Sequence, residues 1–380
     1  MSAITLVEFH PGKDKKELKR FIDLPWAIYK SDKAWVPPLR LTVVDALDTK
    51  KNPFYQHAEI TCWNAYRNGE HVGRIAAIVD QVHNEFHNEK TGFWGFFECI
   101  DDQEVTKKLF AVAEAWVKAK GMTIIRGPAN PSLNHECGLL INNFARDPYV
   151  MMTHNPAYYE KLVENEGHKK VKDLLAFEMP STHFGERVAR IAELVKKKSK
   201  MTFRPIDMKN FQKEVGLIQE IYNDAWEKNW GFTPMNDAEF KHMAKSLKDA
   251  LWPEFCILAF KDGEPVGFSL SLPDINQVLK DIPNGKLLPF GIFKLLSGLN
   301  PKKKKINRVR VITLGVKQKY RASGVPSVFY YETYKRAKEM GLWGGECSWI
   351  LEDNDQMIAA MNAFSGEPAY KTYRMYDKSL

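Results

Sequence analysis

Two stretches of the chain repeat one pattern of apolar and polar positions. "NGEHVGRIAAIVD", Asn68 to Asp80, aligns without a gap on "DGEPVGFSLSLPD", Asp262 to Asp274, sharing G-E-x-V-G and the closing aspartate. An Asn-Gly or Asp-Gly pair between such runs predicts a β-hairpin that resumes as strand at Val-Gly. Further along, "GFWGFFECIDDQEVTKKLFAVAEAWVKAKG" and "RVRVITLGVKQKYRASGVPSVFYYETYKRAKEMG" each predict an apolar strand, a turn and a long helix stopped by glycine, Gly121 or Gly341. Helical spacing of Leu109, Val112, Ala113 and Trp116, and of Val328, Tyr331, Tyr334 and Ala337, supports both helices.

The parallel continues to the end of each half. A strand follows each glycine ("MTIIRGP", "ECSWILE"), then a short helix ending in glycine ("NPAYYEKLVENEG", "DNDQMIAAMNAFSG"), then a closing strand ("VKDLLAFEM", "YKTYRMYDK"). Four matched events in one order predict an α/β (α+β) protein made of two tandem copies of one unit, spanning residues 1–185 and 186–380. The linker is expected within Ser181 to Lys200, which starts with turn residues and ends in a basic helix.

Composition narrows the class. With 380 residues, 44% of them hydrophobic, the chain can bury a large core in two domains. Its formal charge of +8 favours an anionic partner, a nucleotide, a phospholipid surface or an acyl carrier protein among them. No stacked-aromatic and arginine platform or zinc finger supports nucleic acid as that partner. Five cysteines scattered singly, without a CxxC pair, read as reduced, mostly buried thiols, and His83 with His87 lacks a third metal ligand. The charged N-terminal stretch does not read as a signal peptide and no apolar run is of spanning length, so a cytoplasmic location is expected.

Candidate chemistry gathers at a few turns. "LGVKQKYRASGV" leads from a strand end into a helix, and the backbone N–H groups of Arg321, Ala322, Ser323 and Gly324 suit a phosphate. The unit order, this turn and "WILEDNDQMIAAMNAFSG" together resemble the GNAT superfamily of acyl-CoA N-acyltransferases. The resemblance implies a mixed, mostly antiparallel sheet flanked by helices, and acyl-CoA as co-substrate with no metal. It implies a coenzyme site along Leu314, Gly315, Val316, Arg321, Ala322, Ser323, Gly324 and Val325, joined by Asn354. Pro326 departs from the pyrophosphate signature by removing one N–H. The family's usual tyrosine acid falls at Asn362, which leaves Tyr373 or Tyr376 as substitutes.

In the first half the corresponding turn, "CIDDQEVTKK", carries Asp101, Asp102 and Glu104 where phosphates would sit, so that half is expected to have lost coenzyme binding. Its loop "RGPANPSLNHECGLL" instead collects Asn130, Ser132, Asn134, His135 and Glu136, which suit an amine or polyol acceptor or an internally hydrogen-bonded loop. Candidates for the base are Glu346, Glu352, Asp353, Glu136 and His135. The whole arrangement is similar to bacterial tandem GNAT-like acyltransferases, some associated with sphingolipid formation. That implies an acyl group passed to a small-molecule or lipid amine, with binding without turnover and small-acyl transfer to an amino acid or peptide as alternatives. Finally, "LPFGIFKLLSGLNPKKKKINR" joins apolar residues to Lys302–Lys305 and is expected to touch an anionic membrane at its inner face or to line a channel for a long acyl chain.

Overall fold

In the computed structural model, which describes residues 3–182 and 185–380, the first repeat begins with β1 (Ile4–Phe9), α1 (Lys15–Asp23), α2 (Pro25–Ile28) and α3 (Arg40–Ala46). The hairpin β2 (Ala58–Arg67) and β3 (Glu70–Asp80) follows, then α4 (Gln81–His87), β4 (Thr91–Cys99), the long α5 (Gln103–Ala119) and β5 (Ile124–Gly127). A small pair β6 (Ala129–Asn130) and β7 (Glu136–Cys137), then β8 (Leu139–Leu140), α6 (Tyr159–Asn165) and β9 (Lys169–Pro180) complete it.

The second repeat runs α7 (Glu186–Lys198), β10 (Met201–Pro205), α8 (Phe211–Trp226), α9 (Asp237–Lys248) and the hairpin β11 (Cys256–Lys261) and β12 (Glu264–Pro273). After α10 (Asn276–Leu279) and α11 (Gly291–Leu299) come β13 (Arg308–Val316), α12 (Val325–Glu339), β14 (Gly344–Leu351), α13 (Asp355–Ser365) and β15 (Lys371–Ser379). The expected linker is thus mostly α7; its residues 183 and 184 lie outside the described residues.

Contacts group the chain into two units. Unit 1 holds the residues up to Leu174, Leu279–Ile292 and Lys371–Leu380; unit 2 holds Leu175–Val278 and Phe293–Tyr370. In unit 1 the strand order is β1-β2-β3-β4-β5-β15, followed by the start of β9; in unit 2 it is β10-β11-β12-β13-β14, followed by the end of β9. The β4–β5 and β13–β14 pairs are parallel, while β1–β2, β2–β3 and β3–β4, like β10–β11, β11–β12 and β12–β13, are antiparallel. Each unit is therefore the mixed, mostly antiparallel sheet with flanking helices that the resemblance implies.

The shared G-E-x-V-G motif has a physical reading. Asn68 (φ 53°) with Gly69 (φ 81°), and Asp262 (φ 51°) with Gly263 (φ 84°), take the left-handed pair of angles that a two-residue hairpin turn requires. A β-bulge follows at the same offset, between Ala65 and Tyr66 and between Ala259 and Phe260. At the second glycine a side chain would strike the long helix. A Cβ on Gly73 would lie 2.8 Å from Leu109 Cδ1, and one on Gly267 would lie 3.2 Å from Phe329 Cε2. Glycine there lets α5 and α12 press against their sheets.

Register equates the repeats residue by residue. Gly73 faces Cys99 as Gly267 faces Val316, and Thr91 faces Ile124 as Arg308 faces Gly344. With the helix-ending Gly121 and Gly341 aligned, the buried α5 residues Val105, Leu109, Phe110, Ala113 and Val117 correspond to Val325, Phe329, Tyr330, Thr333 and Ala337 of α12. Between these strands and the helices that follow, counted from Cys99 to Val105 and from Val316 to Val325, the turn is three residues longer in unit 2.

Candidate active site

The parallel ladder of unit 2 ends at Val311 opposite Cys347, although β13 continues to Val316 and β14 to Leu351. Past that rung the strands no longer pair, and Leu314, Gly315 and Val316 border the opening. At its far end the turn Gln318–Ser323 is a short 3₁₀ helix leading to Gly324 (φ 78°), the N-cap of α12. No side chain caps this helix, and Pro326 occupies its first turn, where a missing N–H costs no helical bond. The nearest substitutes are weak or local, Val325 N–H to Ser323 Oγ at 3.4 Å and Ser327 N–H to the Gly324 carbonyl at 3.1 Å.

The predicted cationic member of the turn is anchored elsewhere. Arg321 donates to the Ala225 carbonyl at 2.6 Å, while the Gln318 N–H donates to Asp224 Oδ1 at 2.6 Å. Lys317 is paired with Glu220 at 2.5 Å. Helix α8 therefore fixes the first part of the turn, and Ala322 is exposed beyond it. A Cβ on Gly324 would lie 2.7 Å from Val195 Cγ2 of α7, so α7 covers one side of the loop and glycine is needed for space as well as for φ.

Unit 1 closes the same opening from within. Its ladder ends at Phe93 opposite Arg126. The Phe96 N–H then donates to Asn130 Oδ1 at 2.6 Å, and the Cys99 N–H donates to the Tyr159 hydroxyl at 2.8 Å. Asp102 caps α5 by accepting from the Glu104 and Val105 N–H groups at 3.0 and 3.1 Å, and Arg67 pairs with it. Burial would raise the Asp102 pKa, but those N–H groups and Arg67 hold it below the usual value. A resident carboxylate thus occupies the helix N-terminus, where an incoming phosphate would be repelled.

The interior of each opening differs accordingly. At the position of Gly315, unit 1 has Glu98, whose Oε2 accepts from Tyr29 at 2.9 Å and from Tyr159 at 2.7 Å, with Arg74 at 3.6 Å from its other oxygen. Burial pushes the Glu98 carboxyl above its ordinary value despite Arg74. Trp94, Ile125 and Val117 fill the space between sheet and α5 in unit 1; their counterparts in unit 2 are Val311, Gly345 and Ala337. There an apolar pocket opens, bounded also by Tyr330, Thr333 and Met179, with about 460 Å³ of free space including its mouth.

On the other face of the same rungs lies a buried polar cluster. Arg310 and Glu346, both fully buried, are register partners 3.6 Å apart. Ser348 bridges them, donating to Glu346 Oε1 at 2.7 Å and accepting from Arg310 Nε at 2.9 Å. The Tyr370 hydroxyl donates to Glu346 Oε2, and the Trp349 ring lies 4.9 Å from the Arg310 guanidinium carbon. Of these residues Glu346 alone stands out in the sequence. The alternation in "RVR" and "GGECSW" on adjacent parallel strands carried the signal for Arg310 and Ser348; Tyr370 had none.

The remaining candidates are placed as follows. Glu352, partly exposed, and Asp353, exposed, follow the end of β14, and Asn354 accepts from the Met357 N–H as the cap of α13. Asn362 is exposed and its carbonyl takes the Gly366 N–H. Tyr373 belongs to unit 1, buried opposite Leu140, and Tyr376 pairs with Gly127 there. The loop candidates form the β6–β7 hairpin of unit 1. Ser132 Oγ lies 2.8 Å from His135 Nδ1 and accepts from the Asn134 N–H at 3.2 Å, Asn130 serves Phe96, and Glu136 is exposed. Among the described residues no group of three or more His, Cys, Asp or Glu is placed to hold a metal. All five cysteines are buried, and burial pushes the Cys347 thiol beside the pocket up to about 12.

A splayed parallel pair, the strand-to-helix turn beside it and the order of the flanking helices define the GNAT-type fold, present twice in this chain. Solved structures carry the same fold. A tandem GNAT protein from the clavulanic acid biosynthesis pathway superposes with a TM-score of 0.58 at 10% identity, covering 99% of this chain and 98% of that one. No protein-family model matches the sequence. The bacterial ceramide synthase of Caulobacter vibrioides is 38% identical over 375 residues, 97% of each chain. Protein YghO of Escherichia coli is 36% identical over 376 residues, 97% of this chain and 94% of that one. The chain belongs to their family, and it is an acyltransferase.

Proposed function

We propose that this protein transfers a long acyl group from acyl-CoA to the primary amine of an amino-lipid, with residues 186–380 carrying the chemistry and residues 1–185 forming a repeat without a coenzyme site. The single observation that carries this is the difference at the two helix N-termini. Asp102 fills one, and the other, at Gly324, has no side-chain cap beside an open β13–β14 edge. The coenzyme's phosphates would meet Ser323, Gly324 and Val325 with the helix dipole behind them, and Asn354 at the start of α13 borders the same opening's second strand. Pro326 withholds one donor, and Arg321 and Gln318 would have to leave their α8 partners to take part.

The reaction then follows from ordinary acyl-transfer chemistry. The neutral amine nitrogen attacks the thioester carbonyl carbon, a C–N bond replaces the C–S bond, and the amine loses a proton while the thiolate gains one. Backbone N–H groups along Leu314–Val316 would hold the oxygen as charge develops. For the proton we favour Glu346 with Tyr370, because the pair sits one rung below the opening, ahead of the exposed Glu352 and Asp353. The apolar pocket against α12 would seat the start of the acyl chain. The ceramide synthase among its relatives supports a sphingoid-like amine, and the β6–β7 loop with Asn134, His135 and Glu136 remains the proposed acceptor contact. A lipid acceptor resides in a membrane, so the reading carries with it a peripheral contact with an anionic bilayer.

The test is thermal stabilisation by acyl-CoAs of increasing chain length, followed by thiol release with a long-chain amine and with a small one. Stabilisation that grows with chain length, and release dependent on the long-chain amine, is the expected result. No stabilisation by any acyl-CoA would remove the coenzyme assignment; release with the small amine alone would remove the lipid acceptor.

A further inference from the structure

From Ile282 through Tyr331 the chain contains no Asp or Glu and eleven Lys or Arg, more than the whole protein's net charge of +8. The first half of this stretch also carries four of the five most exposed large apolar side chains among the described residues: Leu288 at 76%, Phe290 at 72%, Phe293 at 68% and Leu296 at 60%. Isolated exposed leucines need no explanation, but four in nine consecutive residues, two of them phenylalanine, mark an interaction surface.

The segment is ordered rather than loose. Leu295 and Leu299 turn the inner side of α11 against the cluster around Trp252 and Val278, and a Cβ on Gly298 would lie 2.5 Å from Val278 Cγ2, so that side is fixed close to its support. Phe293 and Leu296, three apart on the helix, are left on the outer side. The chain before the helix is held as well. In unit 1 the Arg40 N–H donates to the Gly285 carbonyl at 2.9 Å, Arg40 Nε to the Asn284 carbonyl at 2.9 Å and Trp26 Nε1 to the Pro283 carbonyl at 2.7 Å. These bonds bring α3, with Leu41 64% exposed, to the base of the segment. Lys286, Lys294 and the run Lys302–Lys305 are all exposed around it.

We infer that residues 286–305 are a membrane-docking element that seats Leu288, Phe290, Phe293 and Leu296 below the headgroups of an anionic lipid bilayer, with the flanking lysines among the phosphates. Charge and apolarity together favour this occupant. An acidic protein would match the lysines alone, whereas a basic segment with four exposed apolar side chains among its lysines meets an anionic plane with an apolar interior. No helix among the described residues is long and apolar enough to cross a membrane, so contact here is peripheral.

The inference deepens the lipid-acceptor reading proposed above, and its test stands apart from it, because vesicle binding is read without turnover. The full-length protein is mixed with phosphatidylcholine vesicles, with and without phosphatidylglycerol, and sedimented. We expect binding only with phosphatidylglycerol, weakened by added salt. Converting Lys302–Lys305 to Gln should reduce binding on the order of a hundredfold, and Phe290→Ser with Phe293→Ser should abolish it with melting temperature unchanged. Phe290→Trp should show a blue-shifted emission quenched by brominated lipid. No binding, equal binding to both vesicles, or binding indifferent to these substitutions would overturn the inference. So would a dimer in solution that Phe293→Ser dissociates, since a second copy would then be what covers the surface.

Discussion

Where unit 1 places Trp94, Ile125 and Val117 between its sheet and its long helix, unit 2 places Val311, Gly345 and Ala337, and a pocket opens. The same exchange recurs around the opening. Unit 1 answers its own backbone donors with Asn130, Tyr159 and Asp102, and fills the Gly315 position with Glu98. On the opposite face Phe93 and Arg126 of unit 1 stand where unit 2 buries Arg310 against Glu346. One backbone frame thus serves two ends. Unit 1 answers these donors with its own side chains, whereas the α12 N-terminus of unit 2 has no N-cap side-chain bond beside its splayed edge, which is where we propose the ligand sits.

The comparison breaks most sharply at Glu346. Glu346→Gln keeps a hydrogen-bond acceptor for Ser348 but removes the proposed base, and kcat should fall by about 10²–10⁴-fold. Stabilisation by acyl-CoA should persist; if turnover is unchanged, the proton goes elsewhere and Glu352 or Asp353 is next. The second test gives unit 2 the carboxylate of unit 1. Gly324→Asp should weaken acyl-CoA binding by about tenfold or more, through repulsion at the helix N-terminus together with the φ of 78° and the contact with Val195. Titration with acyl-CoA reads it, and Asp102→Ala should leave that affinity alone.

Refilling the pocket as unit 1 does, by Val311→Trp, should shift preference toward shorter acyl chains by a few-fold, on the basis of about 0.8 kcal/mol for each methylene left unburied. Turnover compared across a chain-length series checks it, and an unchanged preference would place the chain elsewhere. The smallest effects belong to unit 1. Asp102→Ala should cost about 1 kcal/mol of stability, seen by denaturant titration, because the α5 cap is lost. Glu98 tests pH dependence. Its folded pKa is raised, so its contribution to stability is full below the unfolded value and is lost as pH rises through the folded one. Glu98→Gln should therefore gain on the parent protein in melting temperature as pH rises from about 5 to about 8. A difference that does not change with pH would mean the carboxyl is not protonated in the fold.

Much of this was legible in the chain because it rests on local rules. The hairpins announced themselves through Asn-Gly and Asp-Gly, the long helices through their apolar period and terminal glycines, and the acidic helix start of unit 1 through Asp101 and Asp102. Turn angles, helix stops and caps act within a few residues, so the sequence alone determined two copies of one α/β unit and which of the two strand-to-helix turns carries the carboxylates. Other features depended on residues far apart in the chain. The last strand, β15, lies beside β5, which makes Tyr373 and Tyr376 part of unit 1. Arg310, Glu346, Ser348 and Tyr370 meet only through strand register, and α8 claims Arg321 through a carbonyl nearly a hundred positions earlier. Whether a polar group is free for chemistry depends on what folding packs against it. Local spacing names the group, and only the tertiary structure decides whether it has already been satisfied.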